Sequence, residues 1–321
     1  MSGESTQTVD LVLEGGGVKG IALVGAISVL EEHGLTFARV AGSSAGAIVG
    51  SLVAAGMSAA DLRAAMEALD FKRLCDDTSF GKVPLVGKGL SFFFEHGVYE
   101  GDFFRDLIAG HLADLGVHTF ADLRFDDPSS SLPEHKQFKL LVTASDVSRG
   151  RLMHLPWDYA LNDMDPDKQC VADAVRASMS IPFFFRPVRL SIPGKPPSTL
   201  VDGGMLSNFP IDAFDSVDGQ QKRWPTIGIK LVARYDPEQV QHEVTGPMSL
   251  AEALIGTMSS WHDQMELQDP KVVERTMFVD NLGVKSTDFD IDKGTQAKLF
   301  ESGRSSAERF LKEQLPAALA S

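Results

Sequence analysis

The chain opens with two apolar segments, each followed by a glycine-rich turn and then by a segment with helical spacing. Val9–Leu13 is a short apolar run that predicts a buried parallel strand, and three consecutive glycines follow it closely. Lys19–His33 has helical spacing, Phe37–Ala41 predicts a second strand, and Ala45–Ala55 predicts a helix rich in Ala and Gly. This alternation predicts βαβ units and a largely parallel sheet.

The same alternation continues through the rest of the chain. Residues 72–100 mix Gly, Lys, Pro and aromatics, which favours an irregular loop. We find no linker strong enough to divide the chain and expect one domain over residues 1–321, with residues 240–321 completing it. The further predicted helices are Ser58–Leu69, Asp102–Leu115, Val171–Met179, Met248–Leu267 and Thr295–Ala317, and the further predicted strands are Phe138–Asp146, Phe183–Leu190, Ser198–Val201, Thr226–Ala233 and Thr276–Asn281.

Charge and cysteine content exclude several classes of protein. The net charge is −14, which argues against nucleic acid as a partner and against long-range attraction to an anionic membrane. The two cysteines, Cys75 and Cys170, have neither metal-site spacing nor the density of a disulfide framework. The polar N-terminus has no secretory signal, so we expect a cytoplasmic protein, with export by a signal-less route left open. We expect no cofactor and no metal, and the oligomeric state stays open.

The first glycine turn has two interpretations. Gly15, Gly17 and Gly20 satisfy the G-x-G-x-x-G pattern between a strand and a helix, as in dinucleotide-binding proteins. Those proteins also need an acidic residue at the end of the second strand, and this chain has none there. A P-loop is excluded because Ile21 stands where that motif needs lysine. Nucleotide binding by an oxidoreductase stays an alternative.

The second glycine turn, Gly42–Gly46, reads GSSAG and satisfies G-x-S-x-G between a strand and a helix of small residues. A sharp turn of this kind exposes the central side chain, Ser44, at a helix N-terminus, where developing negative charge is favoured. A tight packing turn is the alternative. Because consecutive parallel strands end on the same side, the N–H groups of Gly15, Gly16 and Gly17 are predicted beside Ser44, where they can form an oxyanion hole.

A nucleophilic serine needs a proton acceptor, and the sequence offers two candidates. His262 lies late enough in the chain to complete a triad, but it falls inside a predicted helix. Asp202 follows an apolar strand end and precedes two glycines, which places a carboxylate at a strand terminus with mobile backbone beside it. An Asp-Gly hairpin turn explains the same residues. Asp202 is the better candidate.

Five segments in order make the chain resemble the patatin-like phospholipase family. They are EGGGVKG at residues 14–20, GSSAG at 42–46, GVYEGD at 97–102, ASMSIPF at 177–183 and DGG at 202–204. The resemblance covers about residues 9–235, and it departs from the family in the third segment, which has Val for Leu and Glu for Asp. It implies a three-layer α/β/α fold with a central, mostly parallel sheet.

The resemblance also implies a lipid acyl hydrolase that uses a serine–aspartate dyad, with neither metal nor histidine. Carried over by position, Ser44 is the nucleophile and Asp202 its partner, the amides of Gly15, Gly16 and Gly17 form the oxyanion hole, and Lys19 takes the family's basic position. The implied substrates are phospholipids or lysophospholipids. A lipid-binding module without catalytic activity is a further alternative.

An acyl chain needs an apolar groove, and aromatic clusters are the candidates for lining it. We expect Phe93, Phe94 and Phe183 to contact substrate, with Lys19 near the headgroup, although core packing explains any single aromatic equally well. Phe92, Phe103, Phe104, Phe184 and Phe185 belong to the same clusters. The first cluster falls in the irregular loop near Lys72, Arg73, Lys82 and Lys88, so a lid or a transient contact with a membrane surface is expected there.

Overall fold

A computed structural model describes residues 7–68, 101–125, 132–215, 223–232 and 267–319, together with separate positions between 244 and 265. In that part of the chain, eight strands form one sheet in the order β5-β6-β3-β2-β1-β7-β8, with β4 paired to β3. Strands β3, β2, β1, β7 and β8 are mutually parallel, and β4, β5 and β6 join antiparallel. The strands are β1 Gln7–Leu13, β2 Leu35–Gly42, β3 Leu140–Asp146, β4 Arg151–Leu155, β5 Val188–Leu190, β6 Ser198–Asp202, β7 Thr226–Val232 and β8 Thr276–Asp280.

Helices flank this sheet, as the sequence predicted. The helices of the described residues are α1 Gly20–Glu32, α2 Ala45–Ala54, α3 Ala59–Ala68, α4 Asp102–Asp114, α5 Trp157–Ala160, α6 Val171–Ser178, α7 Pro270–Glu274, α8 Lys293–Glu313 and α9 Leu315–Ala318. None of them is both long and apolar enough to cross a membrane. The predicted fold class, a mostly parallel central sheet with flanking helices, is confirmed.

Both faces of the parallel strands are buried, which explains their nearly continuous apolar runs. Along β1, Leu11 and Leu13 belong to the larger apolar cluster, which includes α1, α2 and α3. Val12 points to the opposite face and packs in a smaller cluster with Phe209 and Val272 of α7. The sheet is therefore the middle layer of the molecule.

Strands β2 and β6 both pair with β3 along the same edge, one after the other, and their ends therefore come together. Strand β4 pairs with the opposite edge of β3. On the shared edge, β2 runs up to Gly42 opposite Val142, and β6 ends with Asp202 opposite Ala144. These two ends lie two residues apart along β3, a distance of about 7 Å. The turn that follows β2 therefore meets the turn that follows β6.

The C-terminal region contributes to the same core. β8 extends the sheet beside β7, and α8 packs directly on α1. A Cβ on Gly25 of α1 would collide with the carbonyl of Phe300, and one on Gly303 of α8 would collide with the carbonyl of Ala22. Two glycines thus allow the backbones of α1 and α8 to touch.

One prediction about secondary structure is wrong, and one strand was missed. The predicted strand Phe183–Leu190 is a strand only at Val188–Leu190, because Phe183 has φ 72° and the amide of Phe185 bonds back to the carbonyl of Ile181. Strand β4 was not predicted. The predicted loop at 72–100 lies outside the described residues, as do parts of the predicted helix at Met248–Leu267.

Candidate active site

Ser44 occupies a strained turn between β2 and α2. Its backbone has φ 51° and ψ −119°, a left-handed conformation that is rare for a residue with a side chain. The turn is crowded: a Cβ on Gly42 would meet the carbonyl of Gly46, and a Cβ on Gly46 would meet the carbonyl of Leu13. Only glycine fits these two positions, which is the physical basis of the G-x-S-x-G pattern.

The neighbouring ASMSIPF segment holds this turn and Asp202 in place. The Ser44 amide donates a hydrogen bond of 2.9 Å to Oγ of Ser178. The Asp202 amide donates one of 2.9 Å to the carbonyl of Ser180. Ile181 and Pro182 then line the pocket in front of both residues. One short segment therefore fixes the positions of Ser44 and Asp202 together.

Asp202 ends β6 with its carboxyl group buried beside Ser44. Oδ1 accepts a hydrogen bond of 2.7 Å from the Gly204 amide. Oδ2 is buried and accepts no hydrogen bond of regular geometry from the described residues. Burial raises the pKa of Asp202 to about 6, and interactions with the Ser44 hydroxyl and the Gly204 amide oppose that rise. The Ser44 hydroxyl is thus close enough to act on the carboxyl without a well-aligned hydrogen bond, as is common in sites without substrate.

A pocket of about 300 Å³ contains both side chains. Its wall also includes the three glycines at 15–17, Lys19, Asn208 and Ser286. Ser44 and Asp202, which are far apart in the sequence, therefore face one common space. Among the described residues, no histidine lines this pocket or the smaller space that adjoins it. His262, the other candidate base, lies outside the described residues.

The three glycines of the first turn differ in what their amides do. The Gly15 amide donates to the carbonyl of Asn208 at 2.9 Å, so it is occupied in this structure. The amides of Gly16 and Gly17 have no acceptor among the described residues. The same holds for the Ala45 amide, in the first turn of α2 next to Ser44. Three N–H groups near Ser44 are therefore available to a ligand.

A buried charge pair that the sequence did not reveal supports the first glycine turn. Oε1 of Glu14 accepts hydrogen bonds from Nζ of Lys230 at 2.5 Å and from Nδ2 of Asn208 at 3.2 Å, and Oε2 accepts one from the Leu231 amide. Nδ2 of Asn208 also donates to the carbonyl of Gly15. The end of β7 and the turn after Asp202 thus hold the glycine loop in place.

Lys19 reaches the pocket from the other side of the glycine loop. It lines the pocket and is half-buried. Burial lowers its pKa, with repulsion from Lys230 adding to the effect, while Glu14 and Asp288 raise it. A cation at this point is well placed to meet an anionic group of a ligand.

A narrow apolar slot of about 30 Å³ adjoins the main pocket and shares Gly17, Ser44 and Ile181 with it. Its other lining residues are Ala45, Ile48, Met66, Phe104, Met179, Phe185 and Phe289. Among the predicted contacts, Phe183 lines neither space. Phe93 and Phe94 lie outside the described residues. Phe104, Phe184 and Phe185, from the same clusters, line the slot or the pocket instead.

Phe184, in the wall of the main pocket, and Phe289, in the wall of the slot, meet edge to face with ring centroids 6.2 Å apart.

No group of His, Cys, Asp and Glu side chains in the described residues is arranged to hold a metal ion.

Comparison with known proteins identifies the class of protein to which this fold and this site belong. Residues 11–215 match the family model described as patatin-like phospholipase. The chain belongs to the patatin-like phospholipase family, and the resemblance seen in its motifs is confirmed. This membership supports hydrolysis of lipid esters as the general activity, in preference to the nucleotide-binding alternative.

Individual relatives agree with this assignment. The uncharacterized protein YqhO of Bacillus subtilis is 36% identical over 306 residues, which is 95% of this chain and 98% of the relative. A lysophospholipase, NTE1 of Meyerozyma guilliermondii, is 31% identical over 101 residues, only 30% of this chain and 7% of that protein. The crystal structure of VipD from Legionella pneumophila shares the fold, with a TM-score of 0.55 and 18% identity over 96% of this chain and 67% of that one.

Proposed function

We propose that the protein hydrolyses fatty-acyl esters of phospholipids or lysophospholipids, with Ser44 as nucleophile and Asp202 as its base. The observation that carries this proposal is the strained, pocket-facing Ser44 beside a buried carboxyl whose pKa is about 6. A base with a pKa near 6 is ionised at neutral pH and still able to hold a proton transiently.

The reaction divides into two steps that balance in atoms and protons. Asp202 takes the hydroxyl proton as Oγ of Ser44 attacks the acyl carbonyl carbon, and the carbon–oxygen bond of the ester then breaks. The departing alkoxide takes the proton from Asp202, which leaves Ser44 acylated. Water attacks the acyl-enzyme while Asp202 accepts a proton from it, and Ser44 regains that proton as the fatty acid departs.

The negative charge that forms on the carbonyl oxygen needs donors already in position. The amides of Gly16, Gly17 and Ala45 are the candidates, since each has no acceptor among the described residues. One such donor typically contributes about 2.7–4 kcal/mol to the transition state. Gly15 has a supporting role instead, because its amide already donates a hydrogen bond to the carbonyl of Asn208.

The two spaces beside Ser44 suit the two parts of a lipid ester. The apolar slot, with Met66 and Phe104 in its wall, suits the start of an acyl chain. The larger pocket has a mixed wall that includes polar groups, Lys19 and Asn208 among them, which suits the glycerol side and a headgroup phosphate. Ser44 lies at their junction, where the ester carbonyl has to be placed for attack.

Covalent labelling tests the assignment of the nucleophile. We expect a fluorophosphonate to react with one residue of the native protein, and mass spectrometry of the peptides to locate the adduct on Ser44. The same protein should hydrolyse a short-chain chromogenic ester, and labelling should abolish that activity in proportion to its extent. An adduct on another residue, or full activity after complete labelling of Ser44, contradicts the proposal.

The slot predicts a preference for acyl-chain length that can be altered. Met66→Ala removes most of a buried side chain from the slot wall and should favour longer chains. Because one extra methylene in a pocket is worth about 1–3 kcal/mol, we expect the ratio of kcat/KM for an eight-carbon ester to that for a two-carbon ester to rise about tenfold.

Leu62→Ala is the matched control for that variant. Leu62 is buried on the same helix, α3, but does not line the slot. Both truncations should lower the free energy of unfolding by about 2–5 kcal/mol. A ratio of two substrates measured on one variant cancels any loss of folded protein. An equal change of ratio in both variants contradicts a role for the slot in chain-length selection.

A further inference from the structure

A stripe of apolar side chains faces solvent along the segment at residues 250–265. Its members are strongly exposed: Leu250 49%, Leu254 56%, Met258 44%, Trp261 67% and Met265 54%. The described positions of this segment are helical. On a helix, these spacings of four, four, three and four residues place all five side chains within about 80° of one another. We name these five residues the apolar stripe.

The segment that carries the apolar stripe also touches the candidate active site. Gly256 lines the main pocket together with Ser44 and Asp202. On a helix, Gly256 lies about 200° around the axis from the middle of the stripe. Gly256 therefore borders the pocket on the side away from the stripe, whose five side chains are exposed. A surface that contacts the stripe comes within about one helix diameter, 10–12 Å, of the pocket.

The charge of this region limits what the stripe can contact. From residue 235 to residue 270 the sequence has no Lys or Arg. It does have acidic residues there, including Glu252, Asp263, Glu266 and Asp269. The whole chain carries a net charge of −14. Helices that bind anionic membranes carry Lys and Arg along the polar face, and this one has neither. An anionic surface is therefore disfavoured, and a surface without net charge suits the stripe best.

The dimensions of the stripe argue against a second copy of the chain as its partner. At about 1.5 Å per residue, the fifteen steps from position 250 to position 265 span about 22 Å, and one helix face is about 10 Å wide, which gives roughly 220 Å² for the stripe. A specific protein interface needs about 800 Å² from each partner. An amphipathic helix that lies on lipid needs only its apolar face to enter the headgroup region, and tryptophan is enriched at that depth.

We propose that the apolar stripe docks the protein onto the surface of zwitterionic, electrically neutral phospholipid, so that the adjoining pocket draws its substrate from that surface. The inference rests on the proposed function, since the pocket beside Gly256 is taken to be the lipid-ester site. Docking of this kind depends on burial of apolar surface, so it should respond little to salt or to added anionic lipid.

Vesicle binding tests the proposal. The full chain carrying Ser44→Ala, which should leave the lipid intact, is mixed with phosphatidylcholine vesicles and separated by flotation. We expect binding that is unchanged between 0.05 and 0.5 M salt and is not strengthened by phosphatidylserine. Leu254→Ser with Trp261→Ser should weaken binding about 30-fold, because each side chain loses about half of the free energy of full burial.

A control pair with similar exposure separates the stripe from general apolar character. Leu161 and Val147 are 64% and 49% exposed, and both lie outside the stripe. Leu161→Ser with Val147→Ser should bind vesicles like the parent. Equal weakening in both pairs, or binding that requires phosphatidylserine, overturns the proposal. It is also overturned if sedimentation shows a dimer that the stripe variant dissociates.

The same variants distinguish failure of docking from failure of the proposed function. Placed in the chain with Ser44 intact, the stripe variant should hydrolyse a soluble short-chain ester at the parental rate and vesicle phospholipid more slowly. If Ser44 proves not to be the nucleophile, the vesicle-binding result still decides whether the stripe docks on lipid. If soluble-ester activity persists while neutral vesicles are not bound, only the docking proposal is lost.

Discussion

Replacing Ser44 by alanine should lower kcat/KM for a soluble short-chain ester by roughly 10⁴-fold or more. The proposed route requires a covalent acyl-enzyme on Oγ, so removal of that atom removes the path itself. The amides and the pocket would remain and could still bind the ester. Steady-state kinetics with a chromogenic ester, checked by loss of fluorophosphonate labelling, measures this effect.

The fold should survive that substitution. Alanine meets the same backbone strain at φ 51° that serine already bears, and the hydrogen bond from this residue to Ser178 uses the backbone amide. We therefore expect the midpoint of thermal unfolding to stay within a few degrees of the parent. If Ser44→Ala loses both its activity and its folded structure, Ser44 has a structural role, and the prediction that the fold survives is contradicted.

Ser43→Ala is the matched control, since it alters the neighbouring hydroxyl of the same turn. Oγ of Ser43 is fully buried and has no hydrogen-bond partner among the described residues. Removing an unpaired buried hydroxyl should be neutral or slightly stabilising, with kcat/KM within about twofold of the parent. If Ser43→Ala and Ser44→Ala lose activity equally, the turn rather than the Ser44 hydroxyl carries the effect.

The features that could be predicted from the sequence are those with a local steric cause. Gly42 and Gly46 were informative because a Cβ at either position collides with backbone, so the pattern reports a turn of one shape. The apolar runs of β1 and β2 identified strands that are buried on both faces. The placement of Asp202 beside Ser44 followed from the resemblance, and the shared edge of β3 now supplies its physical reason.

The features that escaped prediction depend on contacts between distant parts of the chain. Glu14 pairs with Lys230, which is 216 positions away, and a lysine inside an apolar strand gives no local sign of its partner. Asn208 occupies the Gly15 amide through its backbone carbonyl, which any residue could supply. Phe183 lies in an aromatic run typical of a strand, yet its positive φ turns the chain instead. Such choices are made by tertiary packing.

Asp202→Asn should lower the catalytic activity and, at pH 8, raise the free energy of unfolding. The variant keeps an oxygen for the Gly204 amide but has no group that can take the Ser44 proton. We expect kcat/KM to fall by roughly 10²–10⁴-fold, the usual contribution of a general base. In the parent, kcat/KM should fall tenfold per pH unit below about 6, where Asp202 becomes protonated, and should level off above that pH.

The stability effect follows from the same raised pKa. The carboxyl titrates at about 6 in the folded protein against 3.8 as the reference value. Because the folded state binds this proton more tightly than the unfolded state does, protonated Asp202 stabilises the fold relative to the ionised form. That stabilisation is fully present below pH 3.8 and is lost as the pH rises through about 6. The buried charge thus costs about 3 kcal/mol above pH 6. An amide at this position carries no charge, so Asp202→Asn should be the more stable protein at pH 8 by up to that amount.

Chemical denaturation of parent and variant at pH 4 and at pH 8 measures this difference, and the other titrating groups cancel in the comparison. The stabilisation should be near zero at pH 4 and largest at pH 8. Asp122→Asn is a control of opposite sign, because backbone amides of Thr119 and His118 lower the pKa of Asp122 and that variant should lose stability at pH 8. A stability gain for Asp202→Asn that is equal at both pH values would mean that burial of the charge is not its cause. Gain of stability with loss of activity would mark Asp202 as a group kept for catalysis at the expense of the fold.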